Sequence, residues 1–108
     1  VPIRHQMHRH PDRLYNPASD DHLDELSEGL AWGEYVLLVD KDGEYHWACI
    51  WVPGTPTVQV IPLHPHQSYR NGASWHLASA YPLTLQPSIN WVGVWHGWIT
   101  EGQAWSSE

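Results

Sequence analysis

Nine histidines, eight tryptophans and a few serines are the side chains through which this 108-residue chain could do chemistry. His64 and His66 stand two apart, and His46, His76 and His96 fall on or near strand-like segments. Imidazoles that converge from different strands can hold zinc or another borderline metal. No spacing matches a known metal signature, and Pro65 separates His64 from His66. The expectation is therefore no metal site and no cofactor, with His64, His66, His76 and His96 as the candidates if one exists. Ser88 and His96 have the chemical types of a nucleophile and its base, but Pro87-Ser88-Ile89 lacks the glycine flanks of a strained nucleophile elbow. Glu34, Glu44 and Glu101 offer no paired carboxylates at a readable spacing. There is no phosphate loop and no dinucleotide fingerprint. On these grounds the chain reads as a non-enzyme.

Residues 90–105 (NWVGVWHGWITEGQAW) hold four of the tryptophans. With no Phe anywhere, every aromatic side chain is a Trp or a Tyr, the types that favour half-wet interfaces and ligand platforms. Residues 91–100 read as one long strand, with Trp91, Gly93, Trp95, Gly97 and Ile99 on one face and Val92, Val94, His96 and Trp98 on the other. Glycine in a strand often marks close approach of a ligand or another backbone. Trp91-Gly93-Trp95-Gly97 thus reads as a stacking platform or as a set of gaps filled by indoles from within. A two-residue turn at Glu101-Gly102 would set Gln103 opposite Thr100 and Trp105 opposite Trp98, a cross-strand aromatic pair. Trp91, Trp95, Trp98 and Trp105 are the expected interface residues of the body.

The elements that must position these groups are mostly β. Asp40-Lys41-Asp42-Gly43 is a hairpin signal between 35–39 (YVLLV) and 44–52, and both runs are apolar on both faces, as strands between two layers are. Residues 57–63, 75–80 and 83–86 read as further strands, 64–74 as a loop and 87–90 as a bend. One helix is expected over residues 19–29, capped by Ser19 or Asp20, with Asp21, Asp24 and Glu25 at its positive end and Gly29 as its stop. The fold class that follows is a small, mostly β antiparallel sandwich or barrel-like domain over residues 18–108. It has one short N-terminal helix, and residues 1–17 form an extended N-terminal arm.

Charge is divided unevenly. Arg4, Arg9 and Arg13 against Asp12 leave the arm at +2, whereas Lys41 and Arg70 against eleven acids leave the body at −9. An acidic body repels phosphate backbones, so nucleic acid is not an expected partner. The arm instead suits docking on an acidic neighbour, which makes Arg4, Arg9 and Arg13 candidate interface residues and a homo-oligomer an expected state. No apolar run reaches the ~18 residues of a spanning helix, and the chain does not open with a secretory leader, so no membrane is expected. The lone cysteine, Cys49, sits among apolar neighbours and reads as a buried inert thiol.

Across the last third, Trp75, Pro82-Leu83-Thr84-Leu85-Gln86-Pro87-Ser88-Ile89 and Gly93-Val94-Trp95-His96-Gly97-Trp98-Ile99-Thr100-Glu101-Gly102 resemble a family of small proteins encoded by tailed bacteriophages and prophages. The resemblance implies a β-rich fold and a phage origin, and it names no reaction. With the arm and the aromatic composition it suggests a non-enzymatic virion accessory protein, a head-decorating or tail-associated subunit. Such a protein would be made in the host cytoplasm, reside in the virion, and contact other phage structural proteins. The alternatives are an acidic phage inhibitor of a host defence system and a carbohydrate-binding module built on the Trp face.

Overall fold

Two runs with hydrophobic side chains on both faces need a layer on each side, and the chain supplies both layers. In the computed structural model, which describes residues 4–18, 23–67 and 72–107, the elements follow in the order β1 (Arg4–Gln6), β2 (His8–Arg9), β3 (Arg13–Leu14), α1 (Leu23–Leu26), β4 (Glu34–Val39), β5 (Tyr45–Trp51), β6 (Gln59–Pro62), β7 (His76–Ala80), β8 (Leu83–Trp91), β9 (Trp95–Thr100) and β10 (Gln103–Ser106). The central sheet runs β2-β4-β5-β6, with β3 also paired to β4. The C-terminal sheet runs β1-β10-β9-β8-β7. The mostly β, two-sheet architecture is the one expected. Pairing is antiparallel throughout except for β2 and β3, which run parallel to β4.

Alternation along the strands divides the core into two. Tyr35, Leu37, Ala48, Ile50 and Ile61 of the central sheet meet Leu83, Leu85, Ile89, Ile99 and Ala104 of the C-terminal sheet, with Met7 between them. Val36, Leu38 and Cys49 point the other way and are covered by Leu30, Tyr15, Leu23 and Leu26. Both faces of β4 and β5 are therefore dry. Each fully buried aliphatic side chain contributes about 1.5–3 kcal/mol. Cys49 is completely buried, as expected of an inert thiol.

The expected hairpin at Asp40–Gly43 forms, with Glu34 opposite Trp51 and Leu38 opposite Trp47. Asp40 closes the turn by accepting the amides of Asp42 and Glu44, each at 2.9 Å. The turn at Glu101-Gly102 also forms, with both residues at positive φ, and it sets Gln103 opposite Thr100 and Trp105 opposite Trp98.

Three elements differ from expectation. Among the described residues the helix is the single turn Leu23–Leu26, which ends before the expected stop at Gly29; the expected caps Ser19 and Asp20, and Asp21, lie outside the described residues. The strand expected over 91–100 is broken, because Gly93 takes φ +77 and the amide of Val94 closes a turn on the Trp91 carbonyl at 2.9 Å. Glycine enters that region at no steric cost. Trp91 and Trp95 therefore face each other across a hairpin. The bend expected at 87–90 is instead the far half of β8, whose register against β9 shifts between Leu85 and Ile89. A bulge of this kind absorbs Pro87, which could not donate to a regular ladder.

The N-terminal segment is extended, as expected, and is stitched to its own body. β1 pairs with β10, β2 and β3 pair with β4, and Met7 between β1 and β2 is buried. The segment thus crosses from one sheet to the other and ties them together. Among the described residues no helix is long and apolar enough to cross a membrane.

Candidate functional site

Among the described residues, no layer covers the outer face of the C-terminal sheet. Inward-pointing Leu83, Leu85, Ile89, Gly97 and Ile99 are buried, so the alternate positions on β8 and β9 point to solvent. These include Asn90 on β8, and His96 and Trp98 on β9, while Ser88, in the irregular stretch of β8, is half-buried. Asn90 lies directly opposite His96, and Ile89 opposite Gly97; Ser88 precedes Ile89 at the edge of the register shift in β8. Ser88 is half-buried and His96 exposed. The Trp75 indole N–H donates to the Ser88 carbonyl at 3.3 Å and pins the backbone there. The His96 ring lies 5.8 Å from that of Trp98, tilted by 35°.

Two shallow grooves flank this pair. One, about 440 Å³, is lined by Thr84–Ser88 and by Trp98, Ile99 and Thr100. The other, about 450 Å³, is lined by Asn90, Trp91, His96, Ser106 and Ser107, among others. Ser88 borders the first and His96 the second, so a chain laid across both grooves would pass over the pair. Among the described residues no carboxylate is bonded to His96.

The tryptophans split between filling and display. Trp95 is half-buried, packs on the inter-sheet core and donates its indole N–H to Ser106 Oγ at 3.1 Å. A Cβ at Gly97 would collide with the Trp105 carbonyl and with the Trp95 indole. That glycine therefore makes room for an indole from within, the gap-filling one of the two readings of Trp91-Gly93-Trp95-Gly97. Trp91 is half-buried at the hairpin end, and Trp98 remains 44% exposed. The guanidinium of Arg4 stacks 4.7 Å from the ring of half-buried Trp105. The other arm cations also engage their own chain: Arg9 pairs with Asp12 at 2.8 Å, and Arg13 donates to the Leu26 carbonyl.

Of the histidines proposed as ligands, His64, His76 and His96 are exposed and separate. His66 instead stacks on His46, with ring centroids 3.9 Å apart. His46 is buried and bonded through Nε2 to Asp40 Oδ2 at 2.7 Å. That hydrogen bond, ahead of the Glu44 and Asp42 amides, holds the Asp40 carboxyl below the usual carboxylate range. Burial, then the neighbouring His46, pushes His66 below the usual histidine value. Glu44 joins this pair as a third metal-capable group. Sequence spacing could not reveal the trio, because its members come from two segments about twenty residues apart.

No curated protein and no solved structure matches the chain. A family model does, over residues 19–106: that of the bacterial ubiquitination-like system serine protease, BubE. That match overturns the virion accessory reading, with its head-decoration and tail-associated forms and its two alternatives. The virion location goes with it, since the family is named for a bacterial system and a protease, not for a phage particle. The expectation of a non-enzyme is at odds with the same description. With most of its length matched, and with both the half-buried serine and the exposed histidine of the open sheet face inside the matched span, this chain belongs to the BubE family.

Proposed function

We propose that the chain is a serine hydrolase acting on an acyl bond of a protein substrate, with Ser88 as nucleophile and His96 as general base. The observation that carries this reading is that Ser88 and His96 lie on adjacent strands, each next to a member of the Ile89–Gly97 pair. The family description supports the reaction class, and from its wording we infer a protein of a bacterial ubiquitination-like system as the substrate class.

In this reading an extended segment of the substrate lies across the two grooves and brings a carbonyl carbon to Ser88 Oγ. His96 takes the hydroxyl proton as the Oγ–C bond forms, then passes it to the leaving amine as the C–N bond breaks. Water, deprotonated by the same ring, releases the acyl group and restores Ser88. Catalytic hydrogen bonds are commonly long before substrate binds and tighten in the complex. Asn90, directly opposite His96, is placed to steady the ring.

A fluorophosphonate, which phosphonylates activated serine hydroxyls, tests the assignment. Peptide mass spectrometry should find the adduct on Ser88, with labelling lost in His96→Ala and retained in Ser107→Ala. An adduct on another serine, or labelling of Ser88 indifferent to His96, would overturn it.

A further inference from the structure

The geometry points to a divalent metal site of the zinc class at Glu44, His46 and His66, where the end of the β4–β5 hairpin meets the loop after β6. Each residue offers one donor atom, and the three atoms lie within 4.8 Å of one another. None of them belongs to the Ser88–His96 pair, which sits on the other sheet, so the site does not depend on the hydrolase reading.

Three observations select a metal over a plain imidazole stack. First, His66 Nε2 is buried and has no hydrogen-bond partner among the described residues. A buried polar atom left unsatisfied is uncommon and calls for an explanation such as a bound ion. Second, the nearest acceptor does not satisfy it. Glu44 Oε1 lies 3.8 Å away, too far for a hydrogen bond. Two donors on one tetrahedral zinc stand about 3.4 Å apart, so Glu44 Oε1 need draw in only slightly to share an ion with His66 Nε2. The His66 ring would turn out of its near-parallel stack on His46 to bring both nitrogens onto one ion.

Third, the surroundings already orient the ligands. Asp40 occupies Nε2 of His46 at 2.7 Å and leaves Nδ1 for the ion. A metal-bound histidine characteristically gives its second ring nitrogen to a carboxylate in this way. Asp40 is itself fixed by the amides of Asp42 and Glu44. The ring of Tyr15 lies tilted 5.3 Å from His46, and Ser74 Oγ donates to the His66 carbonyl at 2.6 Å, which holds the loop in place. Two imidazoles and a carboxylate suit zinc and its borderline neighbours better than calcium or magnesium. Three protein donors leave a fourth position for water.

Titration of the chelator-treated full chain with Co²⁺, followed by its visible d–d absorption, tests the site. One equivalent should bind with the strong bands of a tetrahedral centre, and Zn²⁺ should displace it. Because His46 is buried in the fold, the informative variants are at the more exposed positions. His66→Ala should abolish the bands and Glu44→Gln should weaken binding at least tenfold. Asp40→Asn should weaken it by about 10–100-fold. His8→Ala and His76→Ala should leave it intact. Absence of stoichiometric binding, or one equivalent that survives both His66→Ala and Glu44→Gln, would overturn the proposal.

Discussion

The two sheets of this molecule are built from similar residues and used differently. The central sheet is dry on both faces: Tyr35, Leu37 and Ile50 pack inward on one side, while Val36, Leu38 and Cys49 are roofed by Tyr15, Leu23, Leu26 and Leu30 on the other. The C-terminal sheet shares that inner core through Leu85, Ile89 and Ile99, yet leaves its outer face to solvent, with His96 and Trp98 upon it and half-buried Ser88 on the adjoining strand. An antiparallel sheet can keep one face wet at little cost, whereas a sheet with apolar residues on both faces cannot. Stability is thus concentrated in one sheet, and the exposed functional groups are concentrated on the other.

Substitutions sharpen or break this division. Ile50→Ala, in the fully buried sheet, should cost about 2–5 kcal/mol in denaturant unfolding. A cost well under 1 kcal/mol would mean that the inter-sheet core is not where stability resides. Gly97→Ala should cost about 1–3 kcal/mol, since the new methyl meets the Trp105 carbonyl and the Trp95 indole. Normal stability there would show that the sheet has room to give. Trp98→Ala should cost no more than about 1 kcal/mol, because the ring is on the open face. It should nonetheless weaken hydrolysis through loss of a groove wall. A large drop in melting temperature would place that ring in the core instead.

The smallest expected effect concerns the N-terminal segment. The Glu34 carboxyl is held below its ordinary value, first by the Ala31 amide and then by His10, which lies 3.0 Å away. A depressed carboxylate contributes stability above its unfolded value, near 4.5, and that contribution disappears as pH falls through the depressed folded value. Glu34→Gln should therefore lower stability slightly above about pH 4.5, neutrality included, and converge with the unsubstituted protein in acid, so that the acid limb flattens. An unchanged acid limb would mean that the contact contributes nothing.

What sequence reasoning could read was whatever is local. Asp42-Gly43 marked a hairpin, Glu101-Gly102 set Trp105 opposite Trp98, and the doubly apolar runs at 35–39 and 44–52 marked a layer buried on both sides. The arm strands were not legible, because β1, β2 and β3 are two or three residues long and are made by pairing with distant partners. The turn at Gly93 was hidden by a period of two that continues straight through it. Ser88 and His96 were seen as a chemical pair and set aside because the glycine-flanked elbow was the template. A half-buried serine on a bulged strand needs no such elbow to face an adjacent strand. Glu44, His46 and His66 meet only through tertiary packing, and spacing along the chain carries no trace of that.

The central claim is that Ser88 and His96 act together. A double-substitution cycle on hydrolysis tests it most directly, measuring kcat/KM for Ser88→Ala, His96→Ala and the pair, with folding of each checked by thermal unfolding. Each single change should cost at least about 10²–10⁴-fold, and the double variant should be hardly worse than the poorer single, as for residues that work as one unit. Losses that multiply, or a folded His96→Ala protein with undiminished turnover, would contradict the account.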